Sequence, residues 1–117
     1  IHAGDVADGC LFLIKNKKKL MKIDQDFGGA KCPKFNLVGP VELDNLKLAE
    51  LVAKSVNKKL KCEMVDFHTS RPGHDLRYAL SGELMKKQGW TPKISIEERV
   101  DQVVQWTLKN DRWLLKK

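Results

Sequence analysis

The sequence predicts an α/β fold of three to four helices with two or three short strands. Apolar residues recur at helical spacing in several segments, and short apolar runs bounded by glycine or proline lie between those segments. The length of 117 residues is enough for a single small domain, residues 1–117. Because the strands are too few and too short for an independent sheet, we expect a subdomain that docks on something larger.

The first predicted helix covers residues 5–16, and Asp5 is a suitable N-cap residue for it. One face of this helix is apolar and contains Val6, Cys10, Leu13 and Ile14. We therefore expect that Cys10 faces the core. The helix ends in a basic run that contains Lys15, Lys17, Lys18, Lys19 and Lys22. Residues 24–33 contain glycine and proline and are predicted to form a loop.

Two predicted strands flank a second helix. Residues 34–39 form a short apolar run that a Gly-Pro pair ends, which is typical of a strand. The second helix begins after Asp44, a suitable N-cap, and ends at residues 57–59. Its expected buried stripe consists of Leu48, Leu51, Val52 and Val56. Residues 60–65 are predicted to form another strand.

The last part of the chain is predicted to contain two helices. Residues 77–80 form a short extended piece, after which Ser81 caps a small helix over residues 82–88 that Gly89 stops. The final helix begins with a capping box at residues 95–98. Its apolar stripe consists of Ile96, Val100, Val103, Val104 and Leu108, with Trp106 and Trp113 expected to add packing.

Composition excludes several classes of protein. The net charge is +7, from 22 Lys and Arg against 15 Asp and Glu. No stretch approaches the roughly 18 apolar residues that span a bilayer, so no membrane partner is expected. The three cysteines, at 10, 32 and 62, are too widely spaced for a disulfide framework or a CxxC metal site. We therefore expect reduced thiols in a cytoplasmic protein, without a metal site.

The lysine run from Lys15 to Lys22 has two interpretations. Such a run can follow the phosphates of a nucleic acid. Alternatively, lysines at the end of a helix cover exposed backbone carbonyls and complement the helix dipole. No aromatic residue interleaves with these lysines, as base stacking would require. A basic nucleic-acid-binding domain is therefore the disfavoured alternative.

The densest cluster of potentially functional residues lies within residues 70–78. Pro72 fixes one backbone dihedral and Gly73 permits a left-handed turn, which together predict a tight loop. Arg71 offers a planar fork that can hold a phosphate through two hydrogen bonds. His74 adds a donor that becomes stronger on protonation. These residues are compatible with a diphosphate clamp.

The same segment has a structural alternative. Arg71 and Arg77 can instead form ion pairs on the surface, with Asp75 or with another nearby carboxylate. The residue types alone leave both interpretations open, because an arginine in a loop is a weak signal of function.

Five segments carry a resemblance to a known family. Residues 71–80 (Arg-Pro-Gly-His-Asp-Leu-Arg-Tyr-Ala-Leu) and residues 89–92 (Gly-Trp-Thr-Pro), followed by the last helix, resemble the C-terminal end of dTDP-glucose 4,6-dehydratases. These enzymes belong to the extended short-chain dehydrogenase/reductase family. Residues 1–7 are similar to the family's element in which an Asp-Val pair opens a helix, and residues 35–39 to one of its strands. The resemblance covers nearly the whole chain.

The resemblance implies a site for a nucleotide sugar such as a dTDP- or UDP-hexose. The residues that would line it are Ser70, Arg71, Pro72, Gly73 and His74. Arg71 would contact the diphosphate with His74 nearby, and Asn36 would contact the nucleotide. Asn36 has an alternative, since an Asn at a strand end often satisfies local backbone groups. Ser70 departs from the family pattern, which has Asp or Asn there.

The resemblance also implies NAD as the cofactor of a complete family member. Such an enzyme needs a Gly-rich loop between a strand and a helix, and a Tyr-x-x-x-Lys pair. Here no GxGxxG follows a strand, and Tyr78 is followed four residues later by Gly82. Paired acidic residues for the loss of water are also missing. We therefore expect no cofactor site and no catalytic residue in this chain, which alone would be inactive.

The sequence thus predicts the C-terminal, substrate-binding part of a nucleotide-sugar 4,6-dehydratase, without the Rossmann half that binds NAD. The chain begins with Ile1 rather than Met, which fits a piece of a longer protein. Its expected partner is that half or, without it, a second copy that covers exposed apolar surface. The alternative is a free-standing truncated module that binds without catalysis.

Overall fold

A computed structural model of the chain describes residues 1–23, 33–70, 72–73, 75 and 77–114. The helices, in chain order, are α1 (Ala3–Lys15), α2 (Lys17–Leu20), α3 (Asn45–Ser55), α4 (Phe67–Ser70), α5 (Glu83–Lys87) and α6 (Ile96–Lys109), followed by a short 3₁₀ helix at Asp111–Trp113. The chain forms two compact units. The first unit contains Ile1–Val41 and Leu80–Ile96, and the second contains Glu42–Ala79 and Glu97–Lys117.

The predicted α/β class is wrong for the described part of the chain, which is helical and contains no strand. The segments predicted as strands, residues 34–39, 60–65 and 77–80, are non-helical. Among the described residues, no backbone–backbone hydrogen bond pairs any of them with another segment. Strand propensity reflects packing within a sheet, so an apolar run without a partner for its backbone does not form a ladder.

Helix α1 begins two residues before its predicted start. His2 is the N-cap, and its Nδ1 accepts a hydrogen bond from the backbone N of Gly4 at 3.0 Å. Asp5 lies in the first turn and is only 4% exposed. A carboxylate there is favourable because it faces the positive end of the helix dipole. Asp5 therefore belongs to the helix and is not its cap.

The buried face of α1 also differs from the predicted one. Asp5 and Gly9 are its buried residues, whereas Cys10 is exposed and Ile14 is 71% exposed. A Cβ atom at position 9 would lie 2.7 Å from Leu37 Cδ2, so the absence of a side chain brings the helix close to Leu37. The side of α1 that contains Gly9 therefore faces inward, whereas Cys10 and Ile14 face solvent. The prediction that Cys10 faces the core is therefore wrong.

The core of the first unit is small. Leu20, Met85 and Trp90 are each no more than 5% exposed. Val38 packs against Gly82, where any Cβ atom would collide with its Cγ2. Residues 33–39 are thus held by side chains that fit against glycines rather than by a backbone ladder.

The second unit is built around α3 and α6. The N-cap predicted for α3 is confirmed, because Asp44 Oδ1 accepts a hydrogen bond from the backbone N of Lys47 at 2.7 Å. Ser55 Oγ at the end of α3 donates to Asp101 Oδ1 of α6 at 2.5 Å. Val104 is the buried residue of α6. Four residues of the apolar stripes predicted for α3 and α6 are 39 to 51% exposed: Leu48, Val52, Val103 and Leu108.

No helix in the described ranges is long and apolar enough to cross a bilayer.

Candidate functional site

The predicted diphosphate loop begins directly after a single helical turn, α4. Asp66 precedes this turn, and its Oδ1 accepts a hydrogen bond from the backbone N of Thr69 at 2.8 Å. Ser70 ends the turn, and its backbone N donates to the carbonyl oxygen of Asp66 at 3.0 Å. The start of the loop is therefore fixed by local hydrogen bonds. Ser70 is exposed, as a residue that contacts a ligand must be before binding.

The loop contains the expected left-handed turn. Gly73 has φ +79°, a conformation that side chains other than glycine seldom adopt. Pro72 and Gly73 are both exposed. Arg71 and His74, the two residues predicted to bind the diphosphate, lie outside the described residues.

The end of the loop is held by an ion pair. Arg77 Nε donates to Glu42 Oε1 at 2.6 Å, and Arg77 Nη2 donates to Glu42 Oε2 at 2.7 Å. This bidentate geometry matches the planar guanidinium to the planar carboxylate. Both side chains are more than half exposed, so the pair fixes the direction of the chain more than it stabilises the fold.

The two charges of this pair also shift each other's proton affinity. Hydrogen bonds from Arg77, helped by its positive charge, lower the pKa of Glu42 from its usual value. The pKa of Arg77 is raised by the same hydrogen bonds and by the negative charge of Glu42. The ion-pair alternative for this segment is thus realised at Arg77, with Glu42 rather than Asp75 as the partner.

Asn36 lies in the first unit, whereas Ser70, Pro72 and Gly73 lie in the second. Its side-chain Nδ2 donates to the carbonyl oxygen of Ser81 at 3.1 Å, and the residue is exposed. This bond uses one of the two amide N–H groups, and it satisfies a backbone group, as the alternative interpretation of Asn36 expects.

The first unit contains a cleft that sequence reasoning did not find. It measures about 300 Å³, and Trp90, Leu11 and Phe12 contribute to its walls. Trp90 Nε1 donates to Asp8 Oδ2 at 2.8 Å, a pairing across 82 residues of sequence. Trp90 itself is 5% exposed. The Gly-Trp-Thr-Pro motif could have indicated a buried aromatic residue. No sequence pattern links Trp90 to its partner Asp8.

The described residues contain no group of three or more His, Cys, Asp or Glu that could hold a metal ion. Cys10 and Cys62 are free thiols, and both are exposed.

The sequence of the chain is similar to those of known enzymes. A dTDP-glucose 4,6-dehydratase from Escherichia coli is 33% identical over 86 residues, which cover 68% of this chain and 24% of that protein. The dTDP-glucose 4,6-dehydratase from Streptomyces niveus is 32% identical over 87 residues, which cover 74% of this chain and 25% of that protein. The chain is similar to dTDP-glucose 4,6-dehydratases. The resemblance predicted from the sequence is thus confirmed.

A differently named enzyme aligns over more of the chain. The putative GDP-L-fucose synthase 2 of Arabidopsis thaliana is 32% identical over 110 residues, 94% of this chain and 29% of that protein. The chain is therefore related to a region of enzymes whose names specify different nucleotide sugars. It spans about a quarter of the length of the dehydratases that it matches. No family model matches the chain. No solved structure matches it either.

Proposed function

We propose that the chain is the C-terminal, substrate-binding part of a nucleotide-sugar 4,6-dehydratase and that its loop at residues 70–78 positions the diphosphate of the substrate. The similarity to dTDP-glucose 4,6-dehydratases carries this proposal. The loop geometry supports it, because the segment is fixed at both ends and its described residues Pro72, Gly73 and Asp75 are exposed. A short loop fixed in this way loses little conformational entropy when it binds a ligand.

Within the loop, we assign the diphosphate to Arg71 rather than to Arg77. The guanidinium of Arg77 already donates two hydrogen bonds to Glu42, and breaking them for a ligand would leave a carboxylate next to the phosphates. Arg71 occupies the position between the turn that ends at Ser70 and the left-handed Gly73. His74 would add a second donor, and Asn36 is proposed to contact the nucleotide.

The contribution of this chain to catalysis would be placement of the sugar. The resemblance implies that NAD, held by the other half of a complete dehydratase, would supply the hydride chemistry for dehydration of the sugar. Correct placement lowers the barrier because the entropy of orientation is lost on binding and not in the transition state. No GxGxxG pattern occurs in the sequence, so we place the NAD site in the other half of the complete enzyme.

The complete protein would work in the cytoplasm, with the NAD-binding half as the partner of this chain. Where that half is missing, a second copy would cover the exposed apolar side chains. The alternative is a module that keeps nucleotide binding without any role in catalysis.

Isothermal titration of the 117-residue chain with dTDP-glucose tests the substrate-binding role. Arg71→Ala should weaken binding by about 10- to 100-fold, because a hydrogen bond to a charged group contributes about 1.5–3 kcal/mol. Lys58→Ala, which removes another exposed cation of the second unit, should leave the affinity unchanged. Equal affinity of the Arg71→Ala variant and the unaltered chain would refute the role of Arg71. UDP-glucose and GDP-fucose, titrated in parallel, would identify the preferred base.

A further inference from the structure

We propose that the exposed side of α1 and α2 binds the surface of a membrane that contains anionic phospholipids. The exposed side chains of residues 11–22 are called the basic face below. The inference is independent of the nucleotide-sugar proposal, since it concerns a different surface and a different ligand.

The charge of the basic face has a single sign. Its lysines are all exposed: Lys15, Lys17, Lys18, Lys19 and Lys22. No Asp or Glu occurs from residue 9 to residue 23, and the acidic residues that flank this range in the sequence are Asp8 and Asp24. Among the described residues, none of these lysines forms an ion pair. Lysines near an anionic bilayer each add to the attraction, and the effect falls off with ionic strength.

Large apolar side chains are also exposed in residues 11–22. Leu11 is 53% exposed, Ile14 71% and Met21 52%. The opposite side of the same helices is turned inward, with Gly9 and Leu20 buried. The basic face therefore exposes both positive charges and apolar side chains to solvent.

Asn16 separates α1 from α2, with φ −101° and ψ 9°. Asn16 N donates to Phe12 O and Leu20 N donates to Asn16 O, each at 3.0 Å, so backbone hydrogen bonds join both helices to residue 16. Leu11, Ile14 and Lys15 belong to α1, Lys18 belongs to α2, and Met21 and Lys22 directly follow α2. All six are exposed, so two consecutive short helices present basic and apolar side chains to solvent.

This combination selects a lipid surface over other anions. Nucleic acid presents phosphates along its exterior, but it offers little hydrocarbon to Leu11 or Ile14, and the face exposes no aromatic residue that could stack on a base. An interfacial helix instead inserts apolar side chains at the level of the headgroups while its lysines contact the phosphates. The sequence-based expectation of no membrane partner rested on the absence of a spanning segment, which surface binding does not require.

Co-sedimentation of the 117-residue chain with vesicles tests the proposal. The chain should bind vesicles of phosphatidylcholine and phosphatidylserine in equal parts, should bind pure phosphatidylcholine at least about tenfold more weakly, and should be released by salt. Two triple variants should each weaken binding to the mixed vesicles by about tenfold or more. One carries Lys15→Glu, Lys18→Glu and Lys22→Glu. The other carries Leu11→Ser, Ile14→Ser and Met21→Ser.

A matched control changes the same amount of charge elsewhere. Lys58, Lys59 and Lys61 are exposed in the second unit, and their replacement by Glu should leave vesicle binding within about twofold. All replaced side chains are exposed, so circular dichroism should show unchanged helix content.

Three results would each overturn the proposal. The first is equal binding to neutral and anionic vesicles, and the second is an equal loss in the control variant. The third is full binding by the serine variant together with tighter binding to a duplex oligonucleotide, which would show that the face is selective for polyanions and not for lipid.

Discussion

At the scale of single residues, the carboxylate of Glu42 is the group whose protonation controls the end of the loop at residues 70–78. Its folded-state pKa is lowered by hydrogen bonds from Arg77. A lowered carboxyl pKa contributes stability that is complete above the unfolded-state pKa and is lost as the pH falls through the folded-state value. The ion pair, and with it the fixed direction of the loop, should therefore persist at neutral pH and disappear in acid.

Carboxyl carbon NMR measures this directly. The Glu42 resonance should titrate below the usual range of glutamate, and Arg77→Gln should move its midpoint back up toward that range. Lys61→Gln removes an exposed cation of the same unit and should not move the midpoint. An Arg77→Gln protein whose Glu42 titrates as before would show that the ion pair does not exist in solution.

Single residues also mark the limit of what the sequence alone could predict. Gly73 at a left-handed turn and Asp44 as a helix cap follow from local chemistry, and the structure has both. The partners of Arg77 and Trp90 lie 35 and 82 residues away in the chain. No local pattern encodes such distances, so neither pair could be predicted.

At the scale of secondary-structure elements, the packing of α1 depends on the absence of a side chain at Gly9. Gly9→Val should destabilise the chain by about 1–3 kcal/mol, because the added methyl groups would press on Leu37 and Trp90 in a filled core. Urea unfolding followed by circular dichroism measures the difference in the free energy of unfolding. Gly4→Val makes the same replacement at an exposed glycine of α1 and corrects for helix propensity. Equal effects of the two substitutions would contradict the close approach.

The elements differ in how well the sequence predicted them. Helices α3 and α6 have caps or stripes that are complete within about 15 residues, so their existence and type could be predicted. The strands could not, because a strand exists only through a partner that another segment must supply. The buried face of α1 was predicted wrongly because the contact of Gly9 with Leu37 outweighs the apolar stripe of the helix.

At the scale of the whole molecule, the two units differ in how much apolar core they contain. Among the described residues, three of the four buried hydrophobic side chains, Leu20, Met85 and Trp90, belong to the first unit and only Val104 to the second. Local opening costs more where more apolar surface is buried. Amide hydrogen exchange measured by mass spectrometry should therefore be slower in α1 and α5 than in α3.

Helix α6 provides the check on this expectation. It is the longest helix and α1 is nearly as long, so helix length alone would protect both to a similar extent. If burial controls protection, peptides from α1 should exchange more slowly than peptides from α6. Faster exchange in α1 than in α6 would show that the first unit is not the more stable part.

The close approaches of Leu37 to Gly9 and of Val38 to Gly82 tie pairs of positions together during evolution. A larger residue at either glycine can be accommodated only when its partner becomes smaller, so positions 9 and 37, and positions 82 and 38, should covary among homologous sequences. Gly73 has open space around it, and its requirement comes from φ +79° alone. It should exchange with asparagine, which tolerates that conformation, without a compensating change elsewhere. Substitution of Gly9 or Gly82 should thus require a change at its packing partner, whereas substitution of Gly73 should not.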